Sequence, residues 1–306
     1  MMKPPRLNKG DLIGIVAPAG PVDSDRLQRA IPFFEKMGMH VKLGKHVENT
    51  YGYLAGMDAE RLADFHDMVA DDSVKAIIFA RGGYGTGRIA GDIDYELIRN
   101  NPKIIWGYSD ITYLHTAIRQ ETGLATFHGP MPVSDIADDD FDTYTAGLFQ
   151  QLLEPSELYY TESVSMLNVI AAGEASAEIV GGNLSLLIST LGTPYEIDTA
   201  GKLLLLEDIG EAPYRIDAML NQLKLAGKFA GAAGVIIGDF AECDPPKDKP
   251  SLTLEEIFQT YLGGLNGPVV SGFNIGHCMP NFSLPLGVPA TLSSAKRSLI
   301  IEPGIR

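Results

Sequence analysis

Ser109, Glu207 and His277 are the residues whose types and settings suit acyl transfer. Ser109 lies in KIIWGYSDITYLHTAIRQETG (residues 103–123). There an apolar strand ends at Trp106, Gly107 permits a tight turn, and Ile111, Leu114 and Ile118 line one face of a helix that Gly123 closes. A serine at the apex of such a strand-turn-helix is lifted above its sheet. The amide of Asp110, at the helix start, then points to where an oxyanion would form. The turn departs from G-x-S-x-G because Ile111 occupies the last glycine position, and a plain helix cap by Ser109 or Asp110 is the alternative reading. Glu207 ends the apolar run of LLLLEDIGEAPYRID (203–217). A carboxylate in that place needs a cation or an N–H donor, because burying an unpaired charge costs several kcal/mol. Glu211, Arg215 and Asp217 beyond it suit local salt bridges. His277 falls in the loop SGFNIGHCMPNFSLPLG (271–287), between Gly276 and Cys278. It is open to either a structural or a catalytic role, and Cys278 reads as a small buried residue. Together the three supply nucleophile, base and orienting carboxylate once each.

A second turn, ARGGYGTGR (80–88), follows another apolar run. Consecutive glycines let backbone amides approach a phosphate or an oxyanion, although a plain tight turn has the same signature. A dinucleotide fingerprint is not met, since Arg88 stands where the third glycine belongs, and the Gly-Lys-Ser/Thr ending of a P-loop is missing. Arg81 brings a cation to the strand's carboxyl end, where a substrate carboxylate could bind.

The elements that must position these residues alternate in type. Strands are expected at 12–17, 41–43, 76–80 and 104–106, with helices at 24–37, 58–69 and 94–99 between them. Such alternation predicts a parallel, doubly wound α/β sheet with ligands at the carboxyl ends of its strands. An acidic stretch, SDIADDDFD (134–142), reads as a solvated loop. The domain junction is expected near there: residues 1–150 as a first domain, 151–175 as a linker and 176–306 as a second. Further strands are expected at 203–206, 234–238, 269–273 and 298–301, and helices at 183–191, 214–225 and 254–261, which makes the second domain mixed α/β or β-rich. No internal repeat is visible.

Composition narrows the function classes. Lys and Arg number 24 against 39 Asp and Glu, a formal net charge of −15, which opposes phosphate-backbone binding and so a nucleic-acid partner. The two cysteines, Cys243 and Cys278, lack metal-ligand spacing and fit a reducing compartment. No apolar run reaches the roughly 18 residues of a membrane span. Lys3, Arg6 and Lys9 precede the apolar segment 12–20 in the manner of a signal peptide, but Asp11 interrupts the pattern and a first core strand is the reading preferred.

The chain resembles the LD-carboxypeptidase family of serine peptidases, which also contains the microcin C self-immunity proteins. The likeness rests on GDLIGIVAPAGPV (10–22), YLAGMDAERLADFH (53–66), ARGGYG (80–85), GYSDIT (107–112), HGPM (128–131), GGNLS (181–185), LLLLEDIGEAPYRIDAML (203–220) and GHC (276–278). The resemblance implies a flavodoxin-like or amidotransferase-like N-terminal domain, a smaller C-terminal domain, and a triad of Ser109, Glu207 and His277. It also implies oxyanion donors at the amides of Asp110 and, from the glycine turn, Gly83. No cofactor or metal is expected, and a homodimer is among the expected assemblies. The substrate implied is a small peptide or muropeptide, with release of terminal D-alanine from murein tetrapeptide in the cytoplasm. The immunity branch, which cleaves aminoacyl-nucleotide linkages, is the alternative; its members tend to be longer. Two other classes are more distant: a metallohydrolase using His128, Asp208, Asp239 or His277, which lacks any H-E-x-x-H cluster, and a non-catalytic anion-binding module on the glycine turn.

Overall fold

A computed structural model describes all 306 residues. In chain order, β1 (Leu12–Val16), β2 (His40–Leu43), β3 (Val74–Phe79), β4 (Ile104–Gly107) and β5 (Thr126–His128) alternate with helices. Then come β6 (Leu158–Thr161), β7 (Asn168–Ala171), β8 (Glu174–Asn183), β9 (Leu203–Ile209), β10 (Gly234–Ala241) and β11 (Val269–Ser271). Last are β12 (Leu284–Leu286), β13 (Pro289–Ser293) and β14 (Ser298–Ile301). The chain divides into two compact units, one of Met1–Ser156, Ser283–Gly287 and Pro303–Arg306, the other of Glu157–Phe282 and Val288–Glu302.

The first unit holds a six-stranded sheet in the order β12-β5-β4-β3-β1-β2. Strands β1 to β5 are all parallel to their neighbours, and only β12 runs antiparallel. Without β12 the order is the flavodoxin-like 2-1-3-4-5. Helices cover such a sheet on both faces, which is why β1, β3 and β4 are nearly unbroken apolar runs rather than alternating ones. The helix Ser24–Lys36 starts where the Asp23 carboxylate accepts the Arg26 amide at 2.9 Å. The helix Thr112–Thr122 stops at Gly123, whose φ of 71° a residue with a Cβ resists. Trp106 anchors the core against Phe149, with ring centroids 4.4 Å apart, and its indole N–H donates to the Pro130 carbonyl at 2.8 Å. Strand order reverses between β1 and β3, so the loops leaving β1, β3 and β4 share the sheet edge where ligands of such folds bind. Those loops carry Gly20, Arg81 to Gly85, and Ser109.

The second unit is mixed α/β. Its eight-stranded sheet runs β6-β14-β13-β8-β9-β10-β11-β7, with β8 to β11 parallel and antiparallel strands on either side. Strand β8 serves both halves: residues Glu174 to Glu178 pair with β13, and Ile179 to Asn183 pair with β9. Its burial changes midway from partial and alternating to continuous.

Two features depart from the expected layout. Residues 151–175, expected as a linker, contain β6 and β7, the outermost strands of the second sheet. Residues 283–287 and 303–306, expected in the second domain, lie in the first unit. There β12 pairs with β5, Leu284 opposite His128, and covers an edge whose backbone groups would otherwise lack partners. In the acidic stretch, Asp138 to Asp140 are exposed as expected, but Asp135 is buried, accepting from Tyr108 Oη at 2.9 Å and the Met131 amide at 2.7 Å. No helix is long and apolar enough to cross a membrane.

Candidate active site

In the first unit the chain leaves β4 at Gly107 and reaches Ser109, whose φ of 63° lies in the left-handed region. A non-glycine residue held there stores about 1–3 kcal/mol of strain, and the turn thrusts the side chain off the sheet before the following helix begins. Ser109 is half-buried; Asp110 behind it is buried. The glycine turn after β3 packs directly on this apex. A Cβ on Gly82 would lie 2.8 Å from Ser109 Cβ, 2.9 Å from its Oγ and 3.4 Å from the Asp110 nitrogen, so only glycine lets the two backbones approach this closely. Gly83 is exposed and lies against Gly20.

The Gly82 carbonyl accepts from the Gly20 amide at 3.2 Å and from Arg81 Nε at 3.3 Å. Arg81 Nη1 also donates to the Pro21 carbonyl at 3.1 Å. Its guanidinium is therefore fixed, and with Gly20, Pro21, Tyr53, Gly83 and Tyr84 it lines a cavity of about 580 Å³.

In the second unit Glu207 and His277 are brought together. Glu207 sits near the end of β9, wholly buried, and its Oε2 is 2.9 Å from His277 Nδ1. The N–H donor that its burial demands is thus the imidazole, through Nδ1. Glycine makes the room: a Cβ on Gly276, whose φ is 124°, would lie 2.7 Å from Glu207 Oε2. Asp239, at the end of neighbouring β10, is half-buried, and burial followed by the charge of Glu207 pushes its carboxyl above the ordinary range, against the opposing pull of His277.

The other acidic residues of this region have structural work. Asp208 accepts from Asn183 Nδ2 at 3.0 Å and from the amide and hydroxyl of Ser185 at 3.0 and 2.8 Å, which ties β9 to the helix Leu184–Thr190. Glu211 pairs locally with Arg215 at 2.6 Å as expected, whereas Asp217 makes no local salt bridge with them but accepts from Tyr261 Oη at 2.5 Å, 44 residues on, which ties the helix Pro213–Leu225 to the helix Leu254–Leu262. Cys278 is half-exposed rather than buried, because it lies in the loop after β11, where its thiol donates to the Pro280 carbonyl at 3.4 Å. Of the residues considered for a metal, His128 is buried on β5 of the first unit, whereas Asp208, Asp239 and His277 belong to the second. No group of three or more His, Cys, Asp or Glu side chains is assembled to hold an ion.

Sequence reasoning missed the close contact of Gly82 and the partner of the Asp110 side chain. The Gly-Gly pair signalled that a close approach was available, but not which of the two makes it.

Residues 13–129 match the family model for the LD-carboxypeptidase N-terminal domain, and residues 176–292 match that for the C-terminal domain. A protein of Bacillus subtilis strain 168 named probable murein peptide carboxypeptidase is 54% identical over 303 residues, covering 99% of this chain and 95% of its own. The structure of muramoyltetrapeptide carboxypeptidase from Oxalobacter formigenes superposes with a TM-score of 0.86 at 29% identity, over 95% of this chain and 98% of that one. The microcin C7 self-immunity protein in complex with glutamyl sulfamoyl guanosine gives a TM-score of 0.91 at 25% identity, over 99% and 98%. With both family models matched in order along the chain and a relative alike over nearly its full length, this protein belongs to the LD-carboxypeptidase family.

Proposed function

We propose that the chain is a serine carboxypeptidase that releases terminal D-alanine from murein tetrapeptide in the cytoplasm, through an acyl-enzyme on Ser109. Its two cysteines are both free, one of them buried, which suits a reducing compartment. The observation that carries the reading is the Glu207 to His277 Nδ1 hydrogen bond at 2.9 Å, which fixes the imidazole tautomer that a general base needs.

In this reading His277 Nε2 takes the Ser109 proton as Oγ bonds to the scissile carbonyl carbon. The oxyanion is received by the amides of Asp110 and Gly83. The Gly82 carbonyl is turned to Gly20 and Arg81, and in a trans peptide the next N–H points the opposite way, which favours Gly83 as the donor. The C–N bond then breaks, the imidazolium gives its proton to the departing D-alanine amine, and water, deprotonated by His277, releases the tripeptide. Arg81 binds the terminal carboxylate. Held by two backbone carbonyls and open to a cavity, it offers a preorganised cation in a chain of charge −15.

The reading is tested by incubating the protein with murein tetrapeptide and, separately, with an aminoacyl-sulfamoyl adenosine, followed by mass spectrometry. Loss of one alanine from the tetrapeptide is expected. Cleavage of the nucleotide analogue with an intact tetrapeptide would assign the chain to the immunity branch instead.

A further inference from the structure

Asp110 is buried immediately behind the nucleophile, with 2% of its surface exposed. Its Oδ2 accepts the Thr86 amide at 2.9 Å, and its backbone carbonyl accepts Thr86 Oγ1 at 2.7 Å. Thr86 is itself fully buried and opens the short helix Thr86–Ile89 that ends the glycine turn. From the other side, buried Arg61 donates to the carbonyls of Gly85, at 3.0 Å, and of Pro18, while its second nitrogen meets Asp58. The glycine turn is thereby clamped at its far end, and its near end packs on Ser109 at Gly82.

We propose that the Asp110 carboxylate is a positioning residue: by holding the Thr86 amide it sets the glycine turn against Ser109 at the spacing where the amides of the two turns can receive one oxyanion. The inference rests on Ser109 being the nucleophile. Two facts separate this role from mere packing. The carboxyl is pushed up to about 6 by burial, which its bonds to Thr86 only partly offset, so the group is held at a cost in stability that an apolar residue would avoid. The backbone contact it fixes, Gly82 against Ser109, lies at the reacting atom and not elsewhere in the core.

The test is a steady-state comparison of Asp110→Ala, Asp110→Asn and Thr86→Val on murein tetrapeptide, with melting temperature followed in parallel. Loss of one oxyanion donor, or a displacement of about 1 Å, costs on the order of a hundredfold in rate. Asp110→Ala should therefore lower kcat about a hundredfold while KM stays within threefold. Asp110→Asn keeps an acceptor for the Thr86 amide and should recover kcat to within tenfold of the parent. Thr86→Val removes only the hydroxyl donor and should fall between them. Labelling of Ser109 by a fluorophosphonate, in which Oγ displaces fluoride from phosphorus, should slow in the same order. That readout does not require the natural substrate, so a wrong assignment of substrate and a wrong role for Asp110 are told apart. A folded Asp110→Ala protein with kcat and labelling rate within twofold of the parent, or a variant series that changes KM alone, would overturn the proposal.

Discussion

Around Ser109 the positioning is done by backbone: a positive φ, a glycine in van der Waals contact and a helix start fix the apex before any side chain is considered. Around His277 it is done by side chains, a wholly buried carboxylate holding one ring nitrogen at 2.9 Å, with glycine supplying space. Backbone geometry resists small changes of residue type but not an added Cβ. A side-chain pair fails when either member changes its chemistry.

The largest expected effects follow from the side-chain region. His277→Ala should lower kcat by about four to six decades, and Glu207→Gln by about four, because an amide cannot stabilise the imidazolium as a carboxylate does. Rates within tenfold of the parent for Glu207→Gln would break the comparison by showing that the pair is structural. Next come the two glycines. Gly82→Ala and Gly276→Ala each place a methyl within 3 Å of a proposed catalytic side chain, and each should cost about a hundredfold in kcat. Both should also lose stability in denaturant unfolding through the clash of the added Cβ, and Gly276→Ala should lose roughly 1–3 kcal/mol more because its φ of 124° is strained for any residue with a side chain. Equal destabilisation by both would erase the distinction between the regions. Arg81→Ala should raise KM for the tetrapeptide about tenfold with kcat little changed, and cleavage of the carboxyl-amidated tetrapeptide at the parent rate would remove Arg81 from substrate recognition.

The last effect is on stability rather than on rate, as a dependence on pH. The Asp110 carboxyl is raised from 3.8 to about 6 in the folded protein, so between those values the folded state holds a proton that the unfolded state has released. Stability from this group is therefore greatest below the window and falls as pH rises through it, by about 3 kcal/mol in all. The gain in unfolding free energy of Asp110→Asn over the parent should grow between pH 4 and 6. A difference independent of pH would mean that the carboxylate is solvated.

Much of this was legible in the sequence because it is encoded locally. The nearly unbroken apolar strands β1, β3, β4 and β9 and the capped helices between them are patterns of consecutive residues, and Ser109, Glu207 and His277 each fall at a strand end or in the loop beyond one. Strand β8 was not legible. Its first half, EASAE, faces a different neighbour from its second, and its partners lie more than a hundred residues away on β13. Strands β6 and β7 sit at sheet edges with exposed faces, so their composition resembles that of a linker. The buried roles of Asp110 and Asp135 were hidden for a related reason. A carboxylate's burial depends on donors such as Thr86, 24 residues earlier, or Tyr108, 27 earlier, and nothing beside it in sequence announces them.

The most direct measurement is the release of D-alanine from murein tetrapeptide by the parent protein and by Ser109→Ala, with folding of the variant verified by its melting temperature. The expected result is one D-alanine per tetrapeptide from the parent and a kcat lower by about three to six decades in the variant. A folded Ser109→Ala protein that keeps more than a tenth of the parent rate would contradict the serine mechanism.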